Sequence, residues 1–570
     1  MLANTPKRYK LVFIVLLIVV LSFGIYLRLH NFNAEGYGDD SLLMVAEGLG
    51  YFYDYPGDPS GIQAYPPLGN IAFASTCLLS GEDFSGVENV GHYFYPSYWE
   101  HLSQPMYSAM NECHYASRTL GILGIIIFAI LCILLFDNFL SLIPITIFSL
   151  SPQILYWGGR IIHTESIQWP LTFLGLIFLY LGYSTDDKKK EFRFFALSFF
   201  TLALVTSAKW SSGIFVIFAY FLYLEKNKGY IFANIGRVME QKRFVILRST
   251  MKLIKNSFLF GIITYVGVTL VFRLNIFNLL QTYGYWKMRY SEFVGFSFNP
   301  LKILGNLYTM FLDVLSPLEV ILIPFVLYYI YIQFNKWRKE KKLTTSAKFL
   351  LYFLAIYFIA ASQVLVGNPE VFRAIIFYLP FFMVFAYTIE HFTEKLKQKD
   401  LIRVLIVILF IIVYAGINIA NPVPYSSTYQ NSFALPFYSI LSEEDANTHT
   451  HLHKAMLTGV IEWDQIKKDV DKLPLGINES IIGPRQIIQA ADERYEYYIL
   501  KEQIKAQYGR EPTLQEQIAM NINPSGKKYK YFIGSSPEQV EGLNVTLLKE
   551  YSYQGTTYFY LYEIGEHKIQ

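Results

Sequence analysis

Long apolar runs constrain this chain more than any other feature. Runs near the length that crosses a lipid bilayer fall at about 10–29, 117–136, 138–157, 165–183, 192–208, 211–225, 256–274, 303–334, 348–366, 372–390 and 402–420. They make about eleven candidate transmembrane helices. The pair at 192–225, which meets at Lys209-Trp210, is the least separated. Composition agrees: only 16% of residues are charged, against roughly 25% in soluble domains. The net charge of +3 is too small to indicate nucleic acid as a partner.

Loop charges orient the runs. With the N-terminus inside and each span reversing direction, the inside loops hold Lys188, Lys189, Lys190 and Arg193, then a basic cluster over 226–255 that includes Arg237, Lys242, Arg243 and Arg248. Later inside loops hold Lys336, Arg338, Lys339, Lys341 and Lys342, then Lys395, Lys397, Lys399 and Arg403. Every basic loop falls on one side, as the positive-inside rule requires. The first run follows Lys7-Arg8-Tyr9-Lys10 and has no small-x-small cleavage site after it, so it reads as a retained anchor.

The expected architecture is a polytopic α-helical membrane domain over 1–420 and an extracytoplasmic soluble α/β domain over 421–570. The first outer loop, 30–116, has no Lys or Arg, while acids recur along it from Glu35 to Glu112. Within it, 71–79 is too short to span and reads as an interfacial or core helix. In the tail, periodicity predicts helices over 485–507 and 513–521. Aromatic and β-branched content predicts strands over 529–533, 545–551 and 557–562. Asn478-Glu479-Ser480 and Asn544-Val545-Thr546 are glycosylation sequons.

Three cysteines are too few for a disulfide scaffold. Cys77 and Cys113 share the acidic loop and could pair if it lies outside the cytoplasm. The alternative is two unrelated buried thiols.

Ionisable groups near membrane spans are expensive and need a reason. Here they gather at outer helix ends: Asp39 and Asp40 after the first run, Arg118 opening the second, Arg160, His163 and Glu165 between the third and fourth, Lys209 between the fifth and sixth, and Arg373 starting the tenth. This set suits sugar transfer from a phosphate carrier. A carboxylate takes the acceptor proton. Arg, Lys or His stabilise the departing phosphate, and an adjacent carboxylate favours oxocarbenium character. Nucleotide sugars are confined to the cytoplasm, so an outer site implies a lipid-borne donor. No Rossmann fingerprint or P-loop is present. Each residue also has a plainer reading. Asp39-Asp40 could cap a helix over 41–49, Arg118 and Arg373 could be interfacial anchors, the 160–165 group could be a loop ion cluster, and Lys209 could snorkel.

Several segments resemble the protein O-mannosyltransferase family and its GT-C relatives, which include the lipid A aminoarabinose transferases. Gly38-Asp39-Asp40 resembles the family's Asp-Glu motif, and Tyr65-Pro66-Pro67-Leu68-Gly69-Asn70 resembles its His-Pro-Pro-Leu-Gly-Lys motif. Arg118-Thr119-Leu120 resembles the Arg opening the second span, and Ser207-Ala208-Lys209-Trp210 its Val-Lys-Trp segment. Tyr285-Trp286-Lys287-Met288 with Tyr290 resembles a later outer loop. The resemblance covers roughly 10–420. It implies a polyprenyl- or dolichyl-phosphate sugar donor, a hexose such as mannose, inversion at the anomeric carbon, and Asp39 as general base with Asp40 in support. It places the carrier phosphate near Arg118, Arg160, His163, Glu165 and Lys209, with Tyr65, Pro66 and Pro67 shaping the loop.

Departures are Asp40 for Glu, Tyr65 for His, Asn70 for Lys, no sugar-binding insertion at 275–302, and a different C-terminal domain. The acceptor is therefore left open between protein and a lipid-linked glycan. Mg or Mn suits the acidic loop; some GT-C relatives use a divalent cation and others do not. The competing reading is a transporter or flippase of a lipid-linked substrate. Against it stand the lack of a duplicated half and the placement of charges at helix ends.

Overall fold

The computed structural model describes residues 7–29, 39–53, 67–85, 109–136, 138–155, 158–159, 162–209, 212–241, 248–272, 322–340, 343–366, 371–420, 469–470, 472–476, 478–482, 528–534, 537–553 and 556–565, with a few isolated positions besides. The chain is mostly helical, with a small sheet near its C-terminus.

In chain order the helices are α1 (Lys7–Leu29), α2 (Asp39–Leu49), α3 (Pro67–Cys77), α4 (Met110–Phe136), α5 (Leu142–Leu150), α6 (Pro152–Leu155), α7 (Glu165–Ser184) and α8 (Lys188–Thr206). They continue with α9 (Gly213–Gln241), α10 (Arg248–Thr269), α11 (Leu322–Glu340), α12 (Thr345–Val366), α13 (Val371–Thr393) and α14 (Lys399–Ala420). Among the described residues, four helical stretches are long and apolar enough to cross a membrane: Tyr9–Leu29, Glu112–Phe136, Glu165–Ser184 and Met251–Phe272. The other expected spans each contain a described helix, although of the run at 303–334 only Ile303 and 322–334 are described.

One expected span is interrupted. The run at 138–157 is broken into a 3-10 turn (Phe139–Ser141), the short α5 and the single turn α6. Asn138 caps the 3-10 turn, its side chain accepting from the Leu140 N–H at 2.8 Å. Pro144 sits in the first turn of α5 and Pro152 opens α6, where a missing N–H costs least. Every residue of α5 is buried, so its all-round apolarity reflects burial in protein. In contrast α9 runs on to Gln241, 29 residues or about 43 Å.

The helices pack where small residues let backbones approach. Gly175 and Gly182 of α7 lie against Leu202 and Phe195 of α8, and Ser198 donates across the pair to Gly175 O at 3.0 Å. Phe128, Phe148 and Phe173 bring α4, α5 and α7 together, ring centroids 4.5–5.1 Å apart. Outward faces are apolar: Ile14, Ile18 and Val19 on α1 and Phe258, Ile262 and Tyr265 on α10 are exposed. Such faces favour lipid over water as solvent.

The C-terminal sheet has strands β1 (Glu479–Ile482), β2 (Lys528–Gly534), β3 (Val545–Tyr553) and β4 (Thr556–Ile564) in the order β1-β2-β4-β3. β1 and β2 are parallel and the other pairs antiparallel. The three strands expected from sequence are present; β1, with only four residues, carried too little pattern to read. The helices expected over 485–507 and 513–521 lie outside the described residues.

Candidate functional site

The N-terminal end of α7 gathers three of the expected ionisable residues, His163, Glu165 and Lys209. Glu165 is its first residue and is completely buried. One carboxylate oxygen, Oε1, takes Lys209 Nζ. The other, Oε2, meets His163 Nδ1 and accepts from Thr164 Oγ1 at 3.1 Å. His163 is buried as well, while 16% of the Lys209 side chain is exposed. A carboxylate at a helix N-terminus is stabilised by the helix dipole, and the Lys209 ammonium together with the His163 ring offsets its desolvation.

Backbone turns fix this cluster. α8 ends in a turn in which the Ala208 and Lys209 N–H groups both reach Val205 O at 2.9 Å. Ser207 Oγ donates to Val268 O of α10 at 2.6 Å. Just beyond Lys209, Ser212 Oγ accepts from Gln168 Nε2 of α7 at 2.7 Å. Lys209 therefore projects from a junction of α7, α8 and α10.

The Pro-Pro-Leu segment docks on the same junction. Pro67 opens α3, a position where its fixed φ suits the helix start. The Leu68 N–H donates to Ser207 O at 3.1 Å, and Gly69 lies over Thr164 and Ile167. One residue on, Asn70 Nδ2 donates to buried Glu47 Oε2 of α2 at 2.7 Å. The opposing Gly48 leaves room for the Asn70 carbonyl, which a Cβ would strike. α3 thus links the lysine turn to α2, the helix that begins with Asp39 and Asp40.

That helix starts two residues before the expected 41–49, so the two aspartates form its first turn instead of preceding it. Eight residues separate Asp39 from Glu47, about 12 Å along the axis.

Arg118 is buried in α4 beside buried His114 and Ser117. Cys113, one turn earlier, forms a disulfide with Cys77 at the end of α3. Of the two open readings of these cysteines, pairing is the one the structure contains. Arg373 lies in the first turn of α13. Arg160, Tyr65, Pro66 and the 285–290 segment lie outside the described residues.

Two residues escaped the sequence reading. Arg28, hidden at the end of the first apolar run, is almost fully buried and donates to Gly24 O and Ser149 O, each at 3.0 Å. Its side chain lies against Gly159, which faces Gly121 of α4. Glu47 is one acid among many in its loop, and only its burial with Asn70 sets it apart.

Among the described residues, no group of three or more His, Cys, Asp or Glu is placed to hold a metal ion. Both Glu165 oxygens are engaged by protein groups.

Fold and site together define a polytopic helical membrane protein with a buried carboxylate–cation cluster where three helices meet. No family model matches the chain, and no curated protein is similar to it in sequence. Solved structures match it at low TM-scores and low identity. The Archaeoglobus fulgidus oligosaccharyltransferase matches 92% of this chain and 70% of its own in the apo form, at 13% identity and a TM-score of 0.44. In complex with Zn and sulfate it matches 91% and 68%, at 12% identity and a TM-score of 0.40. ArnT from Cupriavidus metallidurans bound to undecaprenyl phosphate matches 98% of both chains, at 11% identity and a TM-score of 0.42.

Proposed function

We propose that this protein is an inverting glycosyltransferase. It moves a sugar, a hexose such as mannose, from a polyprenyl- or dolichyl-phosphate carrier to a protein or lipid-linked glycan on the extracytoplasmic face. The observation that carries this reading is the Glu165–Lys209–His163 cluster, joined through Leu68 and Asn70 to the helix that begins with Asp39-Asp40.

In the proposed reaction the acceptor oxygen attacks the anomeric carbon and its proton passes to Asp39, with Asp40 supporting the carboxylate. The carbon–oxygen bond to phosphate breaks, and the phosphate leaves with the electron pair. Lys209, His163, Arg160 and Arg118 stabilise the charge it gains. Pro67 opens the helix whose Leu68 and Gly69 lie against the lysine turn and the start of α7, and the proposal assigns Tyr65 and Pro66 to shaping the same loop. A divalent cation, if bound, would add Lewis-acid stabilisation of the phosphate; activity with and without a chelator tests that directly.

The topology belongs to the same proposal: about eleven spans over 1–420, N-terminus cytoplasmic, and the tail after 420 outside, in the cell membrane of a prokaryote. The Cys77–Cys113 disulfide supports an extracytoplasmic first loop, because disulfides persist in oxidising compartments.

Replacing Asp39 with Asn in a correctly folded variant is expected to abolish transfer from the lipid donor. Turnover equal to wild type would remove Asp39 from the role. One observation favours the transporter reading, the broken segment formed by α5 and α6, since transporter sites are built on interrupted helices. Sealed vesicles separate the two readings. A glycosylated acceptor marks the enzyme, whereas vectorial movement of unchanged lipid marks a transporter.

A further inference from the structure

Glu165 puts a negative charge where the proposed chemistry calls for positive charge. Its carboxylate is fully buried and contacts both Lys209 and His163. With His163 neutral, the cluster sums to zero. Glu165 also occupies the N-terminal residue of α7, a place that would otherwise attract an anion in its own right.

The charge of the ligand changes during the proposed reaction. A lipid-phosphate sugar is a phosphodiester with one negative charge. The spent carrier is a phosphomonoester, with a second ionisation near pH 6, so it approaches two charges at neutral pH. Coulomb energy scales with the product of charges. A purely cationic site would therefore hold the product more tightly than the donor, and release would limit turnover.

We propose that Glu165 is an internal counter-anion: a positioning residue that acts through Lys209 and lets the spent carrier phosphate leave. It rests on the glycosyltransferase reading of the site. Glu165 keeps Lys209 charged and aimed while cancelling most of the excess attraction for a dianion. Its carboxylate repels the monoester about twice as strongly as the diester.

The test uses the full chain in lipid nanodiscs and two probes, a polyprenyl monophosphate and its methyl diester. Wild type is expected to bind the two within a few-fold of each other. Glu165→Gln is expected to tighten monoester binding by about tenfold and diester binding by less. It should also lower kcat and KM together and raise inhibition by added monoester, while Glu165→Asp keeps the wild-type pattern. Weaker monoester binding by Glu165→Gln, or an unchanged ratio between the probes, would overturn the proposal. So would a wild-type preference for the monoester of a hundredfold, a measurement that needs no variant to fold. If Lys209→Met binds the monoester as wild type does, the phosphate reading of the cluster falls first and takes this one with it. If Lys209→Met loses binding while the Glu165→Gln ratio is unchanged, only the counter-anion role is lost.

Discussion

At the scale of single residues, the cluster couples stability to chemistry. Removing Lys209 leaves the Glu165 carboxylate buried without its ammonium partner, and breaking a buried pair in this way costs about 3–5 kcal/mol. Lys209→Met is therefore expected to lower thermal stability sharply. The double variant Lys209→Met/Glu165→Gln should recover most of that loss without recovering sugar transfer. If transfer returns with stability, Lys209 has only a structural role. Asn70 makes a smaller case. Asn70→Leu deprives buried Glu47 of its 2.7 Å donor and is expected to cost about 1–3 kcal/mol, read in a thermal melt. It should also reduce transfer, because α2 and α3 are tied together there.

At the scale of elements, α7 is a strut with ionic groups at both ends. Glu165 opens it. At its far end, Lys226 of α9 donates to Gly182 O at 2.8 Å, to Tyr183 O at 2.9 Å and to Thr185 O. These carbonyls lack helical partners, and a cation there also suits the dipole. Lys226→Met should destabilise the α7–α8–α9 unit by about 1–3 kcal/mol, visible as faster amide exchange at the end of α7. The next helix, α8, is capped by exposed Asp187, which accepts from the N–H groups of Lys190 at 3.3 Å and Lys189 at 2.8 Å. The Lys190 bond first, then that of Lys189, holds this carboxyl below the ordinary aspartate range. A lowered folded-state value means the cap contributes fully above the unfolded aspartate value of about 3.9. That contribution is lost as pH falls through the lower folded value. Asp187→Asn should flatten that part of the acid-denaturation profile, and an unchanged profile would show that the cap adds nothing.

At the scale of the whole molecule, one covalent link holds the acidic loop to the helical body. Cys77 and Cys113 are 36 residues apart, so in the chain-entropy picture their bond contributes about 3–4 kcal/mol. It joins α3, which docks on the lysine turn, to α4, which carries Arg118. Cys77→Ser/Cys113→Ser is expected to lower the melting temperature and to weaken transfer more than the melt alone explains, since α3 positions the site. The topology makes an independent prediction. Cysteine labelling should find positions near 39 and in the tail after 420 accessible from outside the cell, and the basic loops accessible only after permeabilisation. Cytosolic labelling at 39 and in the tail would overturn the outer-face reading.

The sequence by itself determined the solvent and the periodicity. Apolar runs near bilayer length required buried or lipid-facing helices. Aromatic and β-branched content marked β2, β3 and β4. Both signals are local, so one chain suffices to read them. The clustering of acids and bases at helix ends also named Glu165, His163 and Lys209 before any geometry was known. Only the tertiary structure decided which of these residues meet. It joined 163–165 to 209, tied Leu68 to Ser207 across 139 residues, buried Arg28 and Glu47, paired two cysteines, and broke the run at 138–157. Those outcomes depend on the approach of distant backbones at Gly48, Gly121 and Gly159, and sequence spacing along one helix carries no record of its neighbour.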